Sequence, residues 1–171
     1  MDHVLHTTLE LPLPVEDVFP FFAEAGNLQR ITPPELGFEI LTSQPVEMGR
    51  GTLLDYRLSL FGVPFRWRTE IAAWDPPHGF IDVQLSGPYA VWEHTHVFAA
   101  TEAGTLIDDQ VRYRLPLSPL GDVAYPLVRR QLARIFAYRQ HAVTAALLGP
   151  VGDRRGAGRD GGGVAAAPPR Q

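Results

Sequence analysis

A chain of 171 residues, 45% hydrophobic and 20% charged, has the length and composition of one globular domain with bulk enough for a core. Its formal net charge of −4 leaves no basic footprint for nucleic acid, and the absence of cysteine removes disulfides, thiolate metal ligands and thiol nucleophiles together. All 15 basic residues are arginine, so lysine Schiff-base chemistry and a P-loop phosphate site are excluded as well.

The opening HVLHTTLELPL reads as a strand ended by Pro12 and Pro14. It lacks the basic patch and apolar run of a signal peptide, and no apolar stretch is long enough to span a bilayer. A cytoplasmic protein without stable membrane insertion is expected. VEDVFPFFAEAG follows as a helix, with Val15, Val18, Phe19 and Phe22 at helical spacing, Pro20 as a kink and Gly26 as its stop. NLQRITPPEL makes a second short helical turn, stopped by Pro33 and Pro34.

Six strand-like runs come next: GFEILTSQPV, TLLDYRLSL, VPFRWRTEIAAW, GFIDVQLS, YAVWEHTHVFAA and TLIDDQVRYRLP. With short links they form an antiparallel meander. After Pro119, a long amphipathic helix carries Val128, Leu132, Ile135, Phe136, Val143 and Leu147 on one stripe, with a solvated face as the first reading of Arg129, Arg130, Arg134 and Arg139 and recruitment of an anionic ligand head or lipid surface as the second. Gly149 caps it, and 149–171 is a Gly-, Pro- and Arg-rich tail expected to be disordered.

Tight hairpins fix the register. They pair Tyr56 with Trp67, Asp55 with Arg68, Trp74 with Gly79, Ile71 with Asp82, His96 with Asp109 and Trp92 with Tyr113. A turn at SGP sets Asp82 opposite Trp92 and Phe80 opposite His94. One face then collects Tyr56, Trp67, Asp82, Gln84, Trp92, His94, His96, Phe98, Asp109, Val111 and Tyr113, while the other is charged. Two features fit poorly. Arg57 meets Arg66, and Ile81, Val83 and Leu85 point outward, which implies a bulge or a partner there. A dry core does not tolerate so many inward polar groups, each costing about 1–3 kcal/mol if unpaired. A cavity between sheet and last helix is the expected solution.

PVEDVFPFF, ITPPELGF, GTLLDYRLSLFGVPFRWRTEI, WDPPHGFID, GPYAVWEHTHVF, DDQVRYRLP and RRQLARIFAYR together resemble the bacterial ligand-binding SRPBCC proteins of the START/Bet v 1 superfamily, relatives of which are labelled polyketide cyclase/dehydrase. The resemblance covers residues 3 to about 148. It implies an α+β helix-grip fold: a curved antiparallel sheet of about seven strands around a long C-terminal helix, with two short helices after the first strand. It also implies a hydrophobic cavity for a small apolar molecule such as a lipid, isoprenoid or aromatic polyketide, and no particular reaction.

The expected ligand-binding set is Tyr56, Trp67, Gln84, Trp92, His94, His96, Phe98, Asp109, Val111 and Tyr113. Trp67, Trp92, Phe98 and Val111 supply apolar wall, and the others orienting hydrogen bonds. A carrier or sensor, monomeric or homodimeric, is the first reading. The second is a cyclase/dehydratase-type enzyme in which His96 moves a proton and Asp109 orients it. The third is an accessory domain that docks through Ile81, Val83 and Leu85. His94-x-His96 with Asp82 or Asp109 has the make-up of a two-His, one-carboxylate metal site, but apolar neighbours crowd it, and neither metal nor other cofactor is expected.

Overall fold

The computed structural model describes residues 1–117 and 120–149. The expected tail from residue 150 onward lies outside the described residues.

Strand β1 (His3–Leu11) alternates exposed and inward residues and is followed by α1 (Val15–Ala23) and α2 (Asn27–Arg30). A 3-10 turn (Pro34–Leu36) leads into the meander β2 (Glu39–Ile40), β3 (Leu53–Leu60), β4 (Val63–Asp75), β5 (Gly79–Ser86), β6 (Val91–Thr101) and β7 (Gly104–Arg114). A second 3-10 turn (Leu120–Ala124) precedes α3 (Tyr125–Leu148). The seven strands form one curved sheet in the order β1-β7-β6-β5-β4-β3-β2, every neighbouring pair antiparallel. The expected architecture is the observed one.

Local departures have physical causes. Helix α1 stops at Ala23, not Gly26, because the buried Asn27 side chain takes the carbonyl of Phe21 at 2.9 Å. Strand β2 is two residues long rather than ten. Leu41 N and Thr42 N both donate to the carbonyl of Asp55, so the ladder has no further acceptor and the chain peels away. The Arg57–Arg66 pairing does occur, and Glu39 on β2 lies opposite Arg57 and hydrogen-bonds its guanidinium.

Trp74 pairs with Phe80 instead of Gly79, since a bulge at Ala72 inserts one residue between Ile71 and Ala73. The bulge turns Trp74 to the concave side, where its ring meets Phe19 and Phe80. A second irregularity leaves Leu85 between the paired residues Gln84 and Ser86. Leu85 stays exposed, while Ile81 and Val83 are half-buried.

Three packed clusters frame a hollow. One joins Val18, Phe19 and Phe22 of α1 to Ile71, Phe98, Ile107 and Val143. A second holds Leu54, Tyr56, Leu58 and Trp67, and a third packs Leu132 and Phe136 of α3 on Val111, Tyr113 and Leu115. Apolar faces are thus buried at both ends and along the helix, and the space between the clusters is left to the site.

Candidate functional site

The hollow is a cavity of about 160 Å³ between the concave face of the sheet and α3, with α1 and α2 over one end. Its wall is largely aromatic and aliphatic: Trp67 lies stacked 5.8 Å from Tyr56 and edge-on to Trp92 at 5.2 Å. Tyr56 is tied by its hydroxyl to Thr69 at 3.0 Å, and burial pushes its phenol pKa up.

A polar cluster interrupts this wall. It arises from the slip of β5 against β6. Asp82 pairs with His94 and Phe80 with His96, two residues from the expected register. The connection is not a tight turn at SGP. Ser86 continues to pair with β4, and the Gln84 side chain spans the loop, donating to Tyr89 O at 2.6 Å and accepting from Tyr89 N at 3.3 Å. A slip of two keeps every side chain on its face but brings Asp82 between the two imidazoles. Gly79 makes the approach of β5 and β6 possible, because a Cβ there would sit 2.3 Å from the His96 carbonyl oxygen.

In the cluster each carboxylate touches both rings. Asp82 Oδ2 hydrogen-bonds His96 Nε2 at 3.1 Å and lies 3.6 Å from His94 Nδ1. Asp109 Oδ1 lies 2.6 Å from His96 Nδ1 and 3.4 Å from His94 Nε2, and neither contact has the geometry of an aligned hydrogen bond. The rings stand 3.7 Å apart, and Phe80 stacks on His96 at 4.1 Å.

Burial disfavours the His94 imidazolium and the neighbouring His96 adds to this, pushing His94 down to about 4. Burial also opposes charge on His96, but Asp109 foremost, then Asp82, outweighs it and raises that pKa. Against its own burial, Asp109 is held well below the usual carboxylate range by His96 and His94, and Asp82 is lowered in the same way. His94 thus favours its neutral form, while His96 and the two carboxylates favour their charged forms.

Of the expected residues, Tyr56, Trp67, Trp92, His94 and His96 line the cavity. Asp109 stands behind the histidines, and Gln84 is spent on the loop. Phe98 belongs to the α1 core, while Val111 and Tyr113 are packed under α3. Those five are not in the cavity wall.

Residues outside the expected ligand-binding set also line the cavity, Asp82 and Arg139 among them. Asp82, expected to face inward as a possible carboxylate of the metal candidate, stands between the histidines because of the register slip. Arg139, expected on the solvated face, lines the cavity with its guanidinium over the rings of Phe22 and Phe136 at 5.8 and 6.0 Å. The stripe itself carried the signal: 139 lies three residues past Phe136 and four before Val143, on the buried face. Arg129, Arg130 and Arg134 are exposed as expected, Arg134 being paired with Glu35. Two donors at the cavity lack acceptors, Arg139 Nε and Trp67 Nε1.

No family model matches the chain, and no curated protein matches it. Solved structures do. The Zhui aromatase/cyclase from Streptomyces sp. R1128 superposes with a TM-score of 0.70 at 16% identity, over 86% of this chain and 94% of that one. A START superfamily protein from Mycobacterium smegmatis gives 0.64 at 14% identity, over 85% and 97%. A nucleoside-diphosphate sugar epimerase from Corynebacterium glutamicum gives 0.62 at 28% identity, over 84% of this chain but only 29% of that longer one. The likeness shows the fold, the helix-grip arrangement of the SRPBCC and Bet v 1/START proteins. No helix among the described residues is long and apolar enough to cross a membrane.

Proposed function

We propose that the chain binds a small, ring-bearing apolar molecule in the cavity, as a carrier or sensor. The observation that carries this is an aromatic-walled hollow of about 160 Å³ with two buried donors, Trp67 Nε1 and Arg139 Nε, that have no acceptor. Unpaired buried donors cost about 1–3 kcal/mol each, and a ligand bearing a carbonyl, carboxylate or phenolic oxygen relieves that cost. Size narrows the class. An apolar cavity of about 150 Å³ takes benzene, whereas drug-sized ligands occupy roughly 300–1,000 Å³. One ring with short substituents fits; a long acyl chain does not.

The enzyme reading has less support. Both nitrogens of His96 face carboxylates, so the ring offers none to a molecule in the cavity. The docking reading loses its strip, because Ile81 and Val83 are half-buried and only Leu85 stands out.

Native mass spectrometry of the protein purified from its host is expected to show one co-purifying small mass. A single-ring dye, 4-nitrophenol, is expected to bind and quench the fluorescence of Trp67 and Trp92. Leu60→Trp, which narrows the cavity from its half-buried rim, should weaken the dye at least about tenfold with the circular dichroism unchanged. Clean apo mass together with no dye binding overturns the proposal.

A further inference from the structure

We propose that Asp82, His94 and His96 bind a divalent first-row transition metal ion whose open coordination positions face the cavity. One donor atom from each residue lies within 4.8 Å of the other two. Asp82 Oδ2 is 3.1 Å from His96 Nε2 and 3.6 Å from His94 Nδ1. Donors bound at about 2.1 Å stand about 3.0 Å apart at right angles and about 3.4 Å apart at the tetrahedral angle. The observed spacings therefore need little adjustment. The backbone sets them: His94 and His96 are two apart on one face of β6, and Asp82 is directly opposite His94 on β5.

The far side of the rings supplies an independent observation. His94 Nε2, His96 Nδ1 and Asp109 Oδ1 are buried and lack an aligned hydrogen bond, and both nitrogens face that one oxygen. A metal on the opposite nitrogens obliges each ring to carry its proton toward Asp109. Each ring N–H then lies on the side of Asp109 Oδ1, at N···O separations of 3.4 and 2.6 Å. Ligating histidines are held by carboxylates in this way, which fixes their tautomer and strengthens them as ligands.

Two imidazoles and one carboxylate suit zinc, cobalt, iron or manganese better than magnesium or calcium. Three protein donors leave room for water or for an oxygen of a bound molecule. Apolar crowding, which argued for a metal-free wall, surrounds the donors without separating them. Phe80 stacks on the outer side of His96, and Phe136 meets His94 edge-on at 5.4 Å.

The test is a Co²⁺ titration of the chelator-treated full chain. Visible d–d absorption is expected to saturate at one ion per chain and to be bleached by Zn²⁺. Asp82→Asn, isosteric and at the most exposed of the four positions, should abolish the colour, and Asp109→Asn should weaken binding about 10–100-fold at unchanged stoichiometry. His6→Gln and His78→Gln, at exposed histidines next to Asp108 and Asp75, should change nothing. A colourless wild-type protein, or colour that survives Asp82→Asn, overturns the proposal. Dye binding to chelator-treated protein reports separately on the carrier reading, so either can fail alone.

Discussion

The two faces of strands β6 and β7 both hold a base against carboxylates at similar lengths. On the outer face Arg112 bridges Glu93 and Asp2 at 3.0 Å each, and Arg114 reaches Asp2 at 2.6 Å. On the inner face His96 meets Asp109 at 2.6 Å and Asp82 at 3.1 Å. The cation is arginine outside and histidine inside, and burial differs sharply: the Arg112 and Glu93 side chains are 40% and 38% exposed, those of His96 and Asp109 2% and 10%. Distance alone is therefore a poor guide to what an ion pair contributes. Outside, water solvates either charge when its partner is lost, whereas inside it does not.

The largest expected effect tests this directly. Asp109→Ala in metal-free protein removes the counter-ion that chiefly holds the charge on His96 and should cost about 3–5 kcal/mol in urea unfolding. A loss below about 1 kcal/mol would mean that water already reaches the cluster. The next effect tests the backbone approach that creates the inner face. Gly79→Ala drives a Cβ against the His96 carbonyl and should cost about 1–3 kcal/mol as β5 and β6 part. Gly49→Ala, with open space around its Cβ position, serves as the control and should leave stability unchanged. Equal midpoints for the two variants would show that β5 and β6 separate freely at Gly79.

The order of elements was legible because each carries its own local signal: alternation in β1 and β3 to β7, helical spacing in α1 and α3, and turn residues between them. The face assignment was equally legible, since alternation survives a slip of two. Which inward residues meet was not. Gln84 holds the loop to Tyr89 by its side chain, and no hairpin rule anticipates a long link closed that way. The slip separates an Asp82 beside Trp92 from an Asp82 between two histidines. The Ala72 bulge had the opposite effect, cancelling a one-residue error at the DPPH turn, so Ile71 still pairs with Asp82. The place of Arg139 is not legible from its charge, because a guanidinium can lie over buried rings.

The smallest effect belongs to the best-formed pair of the outer face. Asp55 accepts two hydrogen bonds from Arg68, Nε at 2.8 Å and Nη2 at 2.9 Å, and faces it across β3 and β4 in register. Arg68 lowers the Asp55 carboxyl pKa, though burial opposes the shift slightly. A depressed carboxylate contributes stability above its unfolded pKa and loses it as the pH falls through the folded one. The contribution of this pair is thus present at neutral pH and disappears in acid. Both side chains are about half exposed, so solvent screens the pair even in this bidentate geometry. Asp55→Asn should shift the melting temperature by about a degree in dilute buffer, and by less in about 1 M salt, where the screening length falls to about 3 Å. If it destabilised the fold as much as Asp109→Ala, burial would not be what sets the two faces apart, and the worth of each pair would have to come from its hydrogen-bond geometry.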